Sequence, residues 1–297
     1  MKNPINIRKL YDQPLSEDYY YFLSPFGLGD TLVLLGLKRK LESLYGKKIF
    51  FLLKESHLFL ADLFGITDVI PIKEFRLPPD SPILIEMGKK CEEPEVGKVF
   101  AAHFALHPIG VLLNQQAANS SFAMLDHYLA MFKLPWNTLL EFPSGKIEKN
   151  ISKIDLSELK SKVETILKKN VEFEDLALII PEVRSFSNLK NMKFWNDVVD
   201  KAKQENLVPI QSTTNKKFLI SNLPNIELSL NELILLAFKS GLVISMRNGL
   251  CDVIWEKGEK LIAIYPDLNT YKFGRIKSLF PSSKTKEFIY PQYLYES

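Results

Sequence analysis

Tyr19-Tyr20-Tyr21-Phe22-Leu23-Ser24-Pro25-Phe26-Gly27-Leu28-Gly29-Asp30-Thr31-Leu32 is the stretch from which the fold is read. An aromatic run of strand length enters a turn with two glycines. Helical spacing then holds over residues 31–45 and stops at Gly46, a residue suited to the left-handed position after a helix. Strand, glycine turn and helix in that order open a unit built on a parallel sheet. Asp30 has two readings. As an N-cap it contributes about 1 kcal/mol to the helix. As a carboxylate just past a strand it sits where open parallel sheets bind ligands, and Gly27 and Gly29 let a ligand approach the backbone beside it. A dinucleotide fingerprint is poorly supported, because Leu32 stands where GxGxxG needs its third glycine.

The same alternation continues outward from this stretch. Residues 49–53 read as a strand, 57–64 as a short helix, 68–72 and 83–86 as short strands, and 122–132 as a helix. Residues 89–119 read as loop, with one strand near 99–106. Residues 146–169 alternate in charge and place Leu156, Leu159, Val163 and Leu167 at helical spacing, an amphipathic helix that opens a second half. There the alternation restarts, with strands at 176–180, 208–211, 226–228 and 242–245 and a last one at 261–265. Helices fall at 194–205, at 233–239 behind the capping box Ser229 to Glu232 with Gly241 ending it, and at 248–256 closed by Gly258. The fold class is α/β, with a Rossmann-like half at 1–150, a second at 151–270, and a tail at 271–297.

Composition narrows the function. At roughly 100–200 residues per domain, 297 residues suggest two domains. With 38 Lys and Arg against 35 Asp and Glu, the net charge of +3 lacks the basic face that nucleic acid requires. Cys91 and Cys251 are too few and too far apart for a disulfide framework or a CxxC metal site, which suits a reducing cytoplasm. No apolar run approaches the roughly 18 residues of a membrane span, and the first twenty residues are too polar for a signal peptide. Any membrane contact is expected to be peripheral.

Two further loops carry candidate chemistry. The first, Pro181-Glu182-Val183-Arg184-Ser185-Phe186-Ser187-Asn188-Leu189-Lys190, precedes Lys193-Phe194-Trp195 and a helix. Cations beside a helix start suit an anion such as a diphosphate, although a solvated loop has the same composition. The second, Ser245-Met246-Arg247-Asn248-Gly249-Leu250-Cys251-Asp252, ends a strand and starts a helix. The amides of Gly249 and Leu250 would face a phosphate there and Arg247 would pair with it, against the alternative of a capped turn with a surface Arg. His103, His107 and His127 lack a nearby carboxylate to complete a zinc triad, and no GxSxG surrounds Ser24, Ser245 or Cys251.

These segments together resemble GT-B glycosyltransferases of the ADP-heptose heptosyltransferase type, glycosyltransferase family 9. Residues 26–32 and the strand from Ile49 look like that family's opening Gly-Asp turn and second strand, and residues 126–135 like the helix closing its first domain. Lys193-Phe194-Trp195 is similar to its Lys-x-Trp segment, and residues 230–265 to its nucleotide-binding helix, turn and strand. The resemblance implies two Rossmann-like domains facing a cleft, with a tail that packs back on the first. It implies Asp30 as catalytic base and Lys193 at the donor diphosphate, and joined to the loop readings above it places Arg184, Ser185, Lys190, Arg247, Asn248, Gly249, Leu250 and Asp252 around a nucleoside-diphosphate sugar. The acceptor would be a saccharide, lipid-linked saccharide or glycoprotein, and transfer would need no metal or cofactor. The chain departs from the family where Asp-Thr-Gly-x-x-His is usual, having Arg247-Asn248-Gly249-Leu250-Cys251-Asp252 instead. An Arg there is similar to other GT-B enzymes, including fucosyltransferases that use GDP-sugars, so base and sugar stay open. A GT-B nucleotide-sugar epimerase and a non-catalytic binding or assembly protein are the alternatives, with a dehydrogenase below both.

Overall fold

The computed structural model describes residues 15–25, 27–73, 93–107, 122–142, 151, 154–182 and 192–290. The chain divides into two compact units, Met1–Ile147 and Glu148–Ser297.

In the first unit the aromatic run forms β1 (Tyr20–Leu23) and the helix after it is α1 (Leu28–Tyr45). Then come β2 (Ile49–Lys54), α2 (Glu55–Leu63), β3 (Val69–Ile72), β4 (Val99–Ala101) and α3 (Met124–Met131). The four strands run parallel in the order β3-β2-β1-β4, in a register that sets Leu23 beside Leu52 and Ala101. Both faces of such a sheet are covered, which is why its strands read as unbroken apolar runs. α1 buries Leu32, Val33, Leu34, Leu35, Leu37 and Leu41, and ends at Gly46 with φ 69° and its N–H on the Glu42 carbonyl. Lys38 is buried on the same helix, paired with Glu42 and, at 3.1 Å, with Asp68. Beneath the sheet Phe22 stacks on Phe132 with ring centroids 5.6 Å apart.

The second unit opens with α4 (Ser157–Leu167), which buries Leu159 and Val163 and leaves its charged residues outside. It continues through β5 (Leu176–Ile180), α5 (Met192–Gln204), β6 (Val208–Gln211), α6 (Leu230–Lys239), β7 (Leu242–Met246), α7 (Gly249–Val253), β8 (Leu261–Tyr265), α8 (Leu268–Gly274), α9 (Ile276–Leu279) and β9 (Lys286–Ile289). These five strands are also parallel, in the order β6-β5-β7-β8-β9. Ile179, Phe194, Trp195, Val198, Ile244, Met246 and Ile264 form the core between α5 and the sheet.

Four sequence expectations need correction. The strand expected at 226–228 is a single bridge between Gln211 and Asn225, whose pairing goes no further. The strand at 261–265 is not the last, because β9 adds a fifth beyond it, so the described part of the expected tail, through Tyr290, is built into the second unit. The helix expected over 248–256 is α7 followed by a 3-10 turn at Trp255–Lys260, with Gly258 at φ 58°. Gly241 does not end α6 in a left-handed conformation. It allows close approach instead, since a Cβ there would lie 1.9 Å from the Glu174 carbonyl oxygen. The expected strand at 83–86 lies outside the described residues.

In each sheet the chain builds outward on one side and then returns to the other side of its first strand. The order therefore reverses between β1 and β4 and between β5 and β7, and a crevice at the carboxyl ends of those pairs is where such sheets bind ligands.

Candidate functional site

The first unit places Asp30 at the carboxyl ends of β1 and β4. Gly27 is the N-cap of α1, with φ −84° and ψ 175°, and Asp30 is the third helical residue. Asp30 is thus not itself the N-cap. Its Oδ2 accepts the Gly27 N–H at 3.1 Å, the side-chain half of a capping box. Oδ1 accepts the Tyr128 hydroxyl at 2.9 Å and lies 3.2 Å from His103 Nε2. His103 follows β4, and Tyr128 reaches in from α3 with its ring edge-on to the imidazole. The Ala105 N–H donates to His103 Nδ1 at 3.1 Å, which assigns the ring proton to Nε2 and makes His103 a donor to Asp30.

The Asp30 side chain is 16% exposed. Burial pushes its pKa up, but the electrostatic pull of the His103 ring and the hydrogen bonds from His103, Tyr128 and Gly27 outweigh it and hold the carboxyl below the ordinary aspartate value. The Tyr128 hydroxyl is pushed well above 10 by burial and by the Asp30 charge. Under the turn, Ser24 Oγ lies 2.7 Å from Thr31 Oγ1, which lies 2.8 Å from His57 Nδ1. This buried chain ties the end of β1 through α1 to α2. Gly29 is buried in the first turn of α1, whereas Gly27 is exposed and a Cβ on it would meet its nearest neighbour, Asp30 Oδ2, at an ordinary 3.5 Å. Folding by itself does not require glycine at position 27.

In the second unit the loops after β5, β6 and β7 converge. Glu182 Oε2 accepts the Thr213 hydroxyl at 2.8 Å and the Thr214 N–H at 3.2 Å, and Asn248 Nδ2 donates to the Glu182 carbonyl at 3.3 Å. Lys193 is exposed on the first turn of α5, while its neighbours Phe194 and Trp195 enter the core. Arg184, Ser185 and Lys190 lie outside the described residues.

Arg247 sits differently from the outward cation the sequence suggests. It is 8% exposed, donating from Nε to the Gly274 carbonyl at 2.7 Å, from Nη1 to the Asn248 carbonyl and from Nη2 to Asp252, itself 1% exposed. The physical reason is that Asp252, five residues on, returns beneath it across the first turn of α7. Burial lowers the guanidinium pKa, but the Asp252 charge beside it wins and the pKa is raised. The Leu250 amide is also committed, donating to Asn248 Oδ1 at 3.0 Å. Cys251 is fully buried and unbridged, its thiol pushed up chiefly by that burial.

His107 donates to the Ala101 carbonyl and His127 to the Ala123 carbonyl. Among the described residues no group of three or more His, Cys, Asp or Glu is arranged to hold a metal ion, and no helix is long and apolar enough to cross a membrane. Tyr128 and His103 are the site residues that sequence reasoning missed as partners of Asp30. The only signals were Tyr128 inside the 126–135 segment and the cluster of His103 with other histidines.

No protein-family model and no curated protein sequence matches the chain. Solved structures do match in shape. Glycosyl transferase family 9 from Veillonella parvula DSM 2008 aligns with a TM-score of 0.54 at 10% identity, over 95% of this chain and 89% of that one. The E. coli ADP-heptose LPS heptosyltransferase II aligns at 0.52 with 13% identity over 90% and 89%. E. coli heptosyltransferase WaaC with ADP aligns at 0.55 with 10% identity over 92% and 93%. Two parallel-sheet Rossmann-like units joined in one chain are the GT-B fold that these structures share.

Proposed function

We propose that this chain is a glycosyltransferase that moves a sugar from a nucleoside-diphosphate sugar to a hydroxyl of a saccharide, lipid-linked saccharide or glycoprotein in surface polysaccharide synthesis. The observation that carries the reading is the Asp30 carboxylate, held below its ordinary pKa at the carboxyl edge of the first sheet, at the point where strand order reverses. The solved structures of the same fold add weight, since two are named as heptosyltransferases and one of those holds ADP. In the step proposed, the acceptor oxygen attacks the anomeric carbon, its proton passes to Asp30 about 3 Å away, and the bond from the anomeric carbon to the diphosphate oxygen breaks. A carboxylate of low pKa is ionised at every physiological pH, so it is ready for a proton that becomes acidic only as the new bond forms.

The second unit is the proposed donor side. Lys193, with Arg184, Ser185 and Lys190 from the sequence, would offset charge on the departing diphosphate. Arg247, Asn248 and Asp252 would shape the turn that carries the Gly249 and Leu250 backbone. No metal or cofactor is invoked.

The test is a calorimetric and thermal-shift screen against ADP, GDP, UDP and CMP with their sugar conjugates. One nucleotide is expected to stabilise the protein, with binding weakened in Lys193→Ala. Asp30→Asn is expected to keep that binding while losing turnover. No stabilisation by any of them would remove the donor site, and equal loss of binding and turnover in Asp30→Asn would remove the base.

A further inference from the structure

We infer that His103 and Tyr128 are positioning residues that occupy Oδ1 of Asp30 and leave the carboxylate one place to take a proton, on Oδ2. The inference deepens the glycosyltransferase reading and rests on it only for the identity of the proton's source.

An ionised carboxylate offers about four acceptor positions, two on each oxygen. Oδ1 accepts the Tyr128 hydroxyl and faces His103 Nε2, which fills it. Oδ2 accepts the Gly27 amide and keeps its second position. The other titratable groups of the cluster cannot serve in its place. His103 Nδ1 is taken by the Ala105 N–H and its Nε2 carries a proton, so the ring has no basic nitrogen to offer. Tyr128 donates to Asp30 and stays protonated far above neutrality. The nearby Asp126 turns its carboxylate to the Ala123 N–H at 2.7 Å, and His57 lies behind the Thr31 hydroxyl. Of these groups Asp30 alone is a carboxylate held by both His103 and Tyr128 beside the carboxyl ends of β1 and β4 with a lone pair left open, whereas Asp126 serves as the capping carboxylate of α3.

This arrangement also decides what happens after transfer. A proton arriving on Oδ2 converts Asp30 to a neutral acid whose Oδ1 is the carbonyl oxygen, still able to accept both bonds. The base therefore keeps its orientation through the step and returns its proton to solvent without rebuilding its contacts. The two donors cost some basicity, since bonds to the charged form favour that form. Fixed direction is what they contribute in exchange. His103, set aside as a metal ligand on the sequence, is a fixed donor here.

The test needs no substrate. Protein labelled with ¹³C at the aspartate carboxyls is titrated by NMR as wild type, Tyr128→Phe and His103→Gln, with the Asp30 signal assigned from Asp30→Asn. Phe keeps the ring and removes only the hydroxyl, and Gln keeps an N–H donor while removing the imidazole. The Asp30 midpoint is expected to rise in both variants, with the Gly27 amide signal still reporting an intact turn. An Asp30 midpoint that stays at its wild-type value in both variants overturns the inference. Once a donor and acceptor are in hand, the same variants should lower kcat about tenfold with KM for the donor unchanged, a part of the ~10²–10⁴-fold that a general base contributes. The acid limb of the kcat profile should move to higher pH by the shift that NMR reads. A fall in donor affinity with unchanged kcat would overturn the positioning role. Raised midpoints in a protein that binds no nucleoside diphosphate would instead uphold the positioning of Asp30 and remove the glycosyltransferase reading.

Discussion

Single residues separate folding from chemistry in this molecule. Gly27 has an extended backbone that any residue adopts and room for a Cβ, so Gly27→Ala should cost less than about 1 kcal/mol, the difference between good and poor N-caps. If a ligand passes over that backbone, turnover should fall while chemical denaturation barely moves, and unchanged turnover would take Gly27 out of the site. Arg247 is the opposite case. Truncating it leaves Asp252 buried without its counter-charge and the Gly274 carbonyl without its donor, which should cost about 3–5 kcal/mol. A surface cation would cost within about 0.5 kcal/mol, so urea denaturation of Arg247→Ala distinguishes the two directly. For the same reason, lost nucleotide binding in that variant would report a damaged turn rather than a missing contact.

At the scale of elements, packing decides where a helix tolerates change. Gly36 lies inside α1, and a Cβ there would come within 2.9 Å of Leu140 Cβ and 3.0 Å of Phe142 Cζ. The crossing segment is pinned by the Glu141 N–H on the Gly36 carbonyl at 2.9 Å, so it cannot withdraw without losing that bond. Alanine gains about 1 kcal/mol of helix preference but overpacking costs about 1–3 kcal/mol, so Gly36→Ala should be a net loss in equilibrium unfolding. A stabilised variant would contradict that contact. The strands were legible where both faces are buried, because β1, β5 and β8 are unbroken apolar runs and β2 and β7 are apolar but for Lys54 and Ser245. β9 escaped because Lys286 and Glu287 break the run on an edge strand, and residues 226–228 misled because an apolar pair was read as pairing.

For the whole molecule, the α/β class and its two halves were readable from the order of elements, since each unit repeats strand, turn and helix. The candidate site was readable only in part. Asp30 announced itself through the turn that carries it, but its partner Tyr128 stands 98 residues away, and no local spacing records a contact closed by a sheet's topology. The inward course of Arg247 was hidden in the same way, because tertiary burial turned a loop cation into a staple. That staple overlies a feature with an experimental use. Cys251 is sealed beneath the turn after β7, so a thiol reagent can reach it only during excursions in which the second unit opens. In a Cys91→Ser background the labelling rate would serve as a stopwatch for those openings. A nucleoside diphosphate that binds the closed form should slow it by a factor of 1 + [L]/Kd. Such slowing would measure donor affinity without any knowledge of the acceptor, and a rate indifferent to every nucleotide would count against a donor site in this unit.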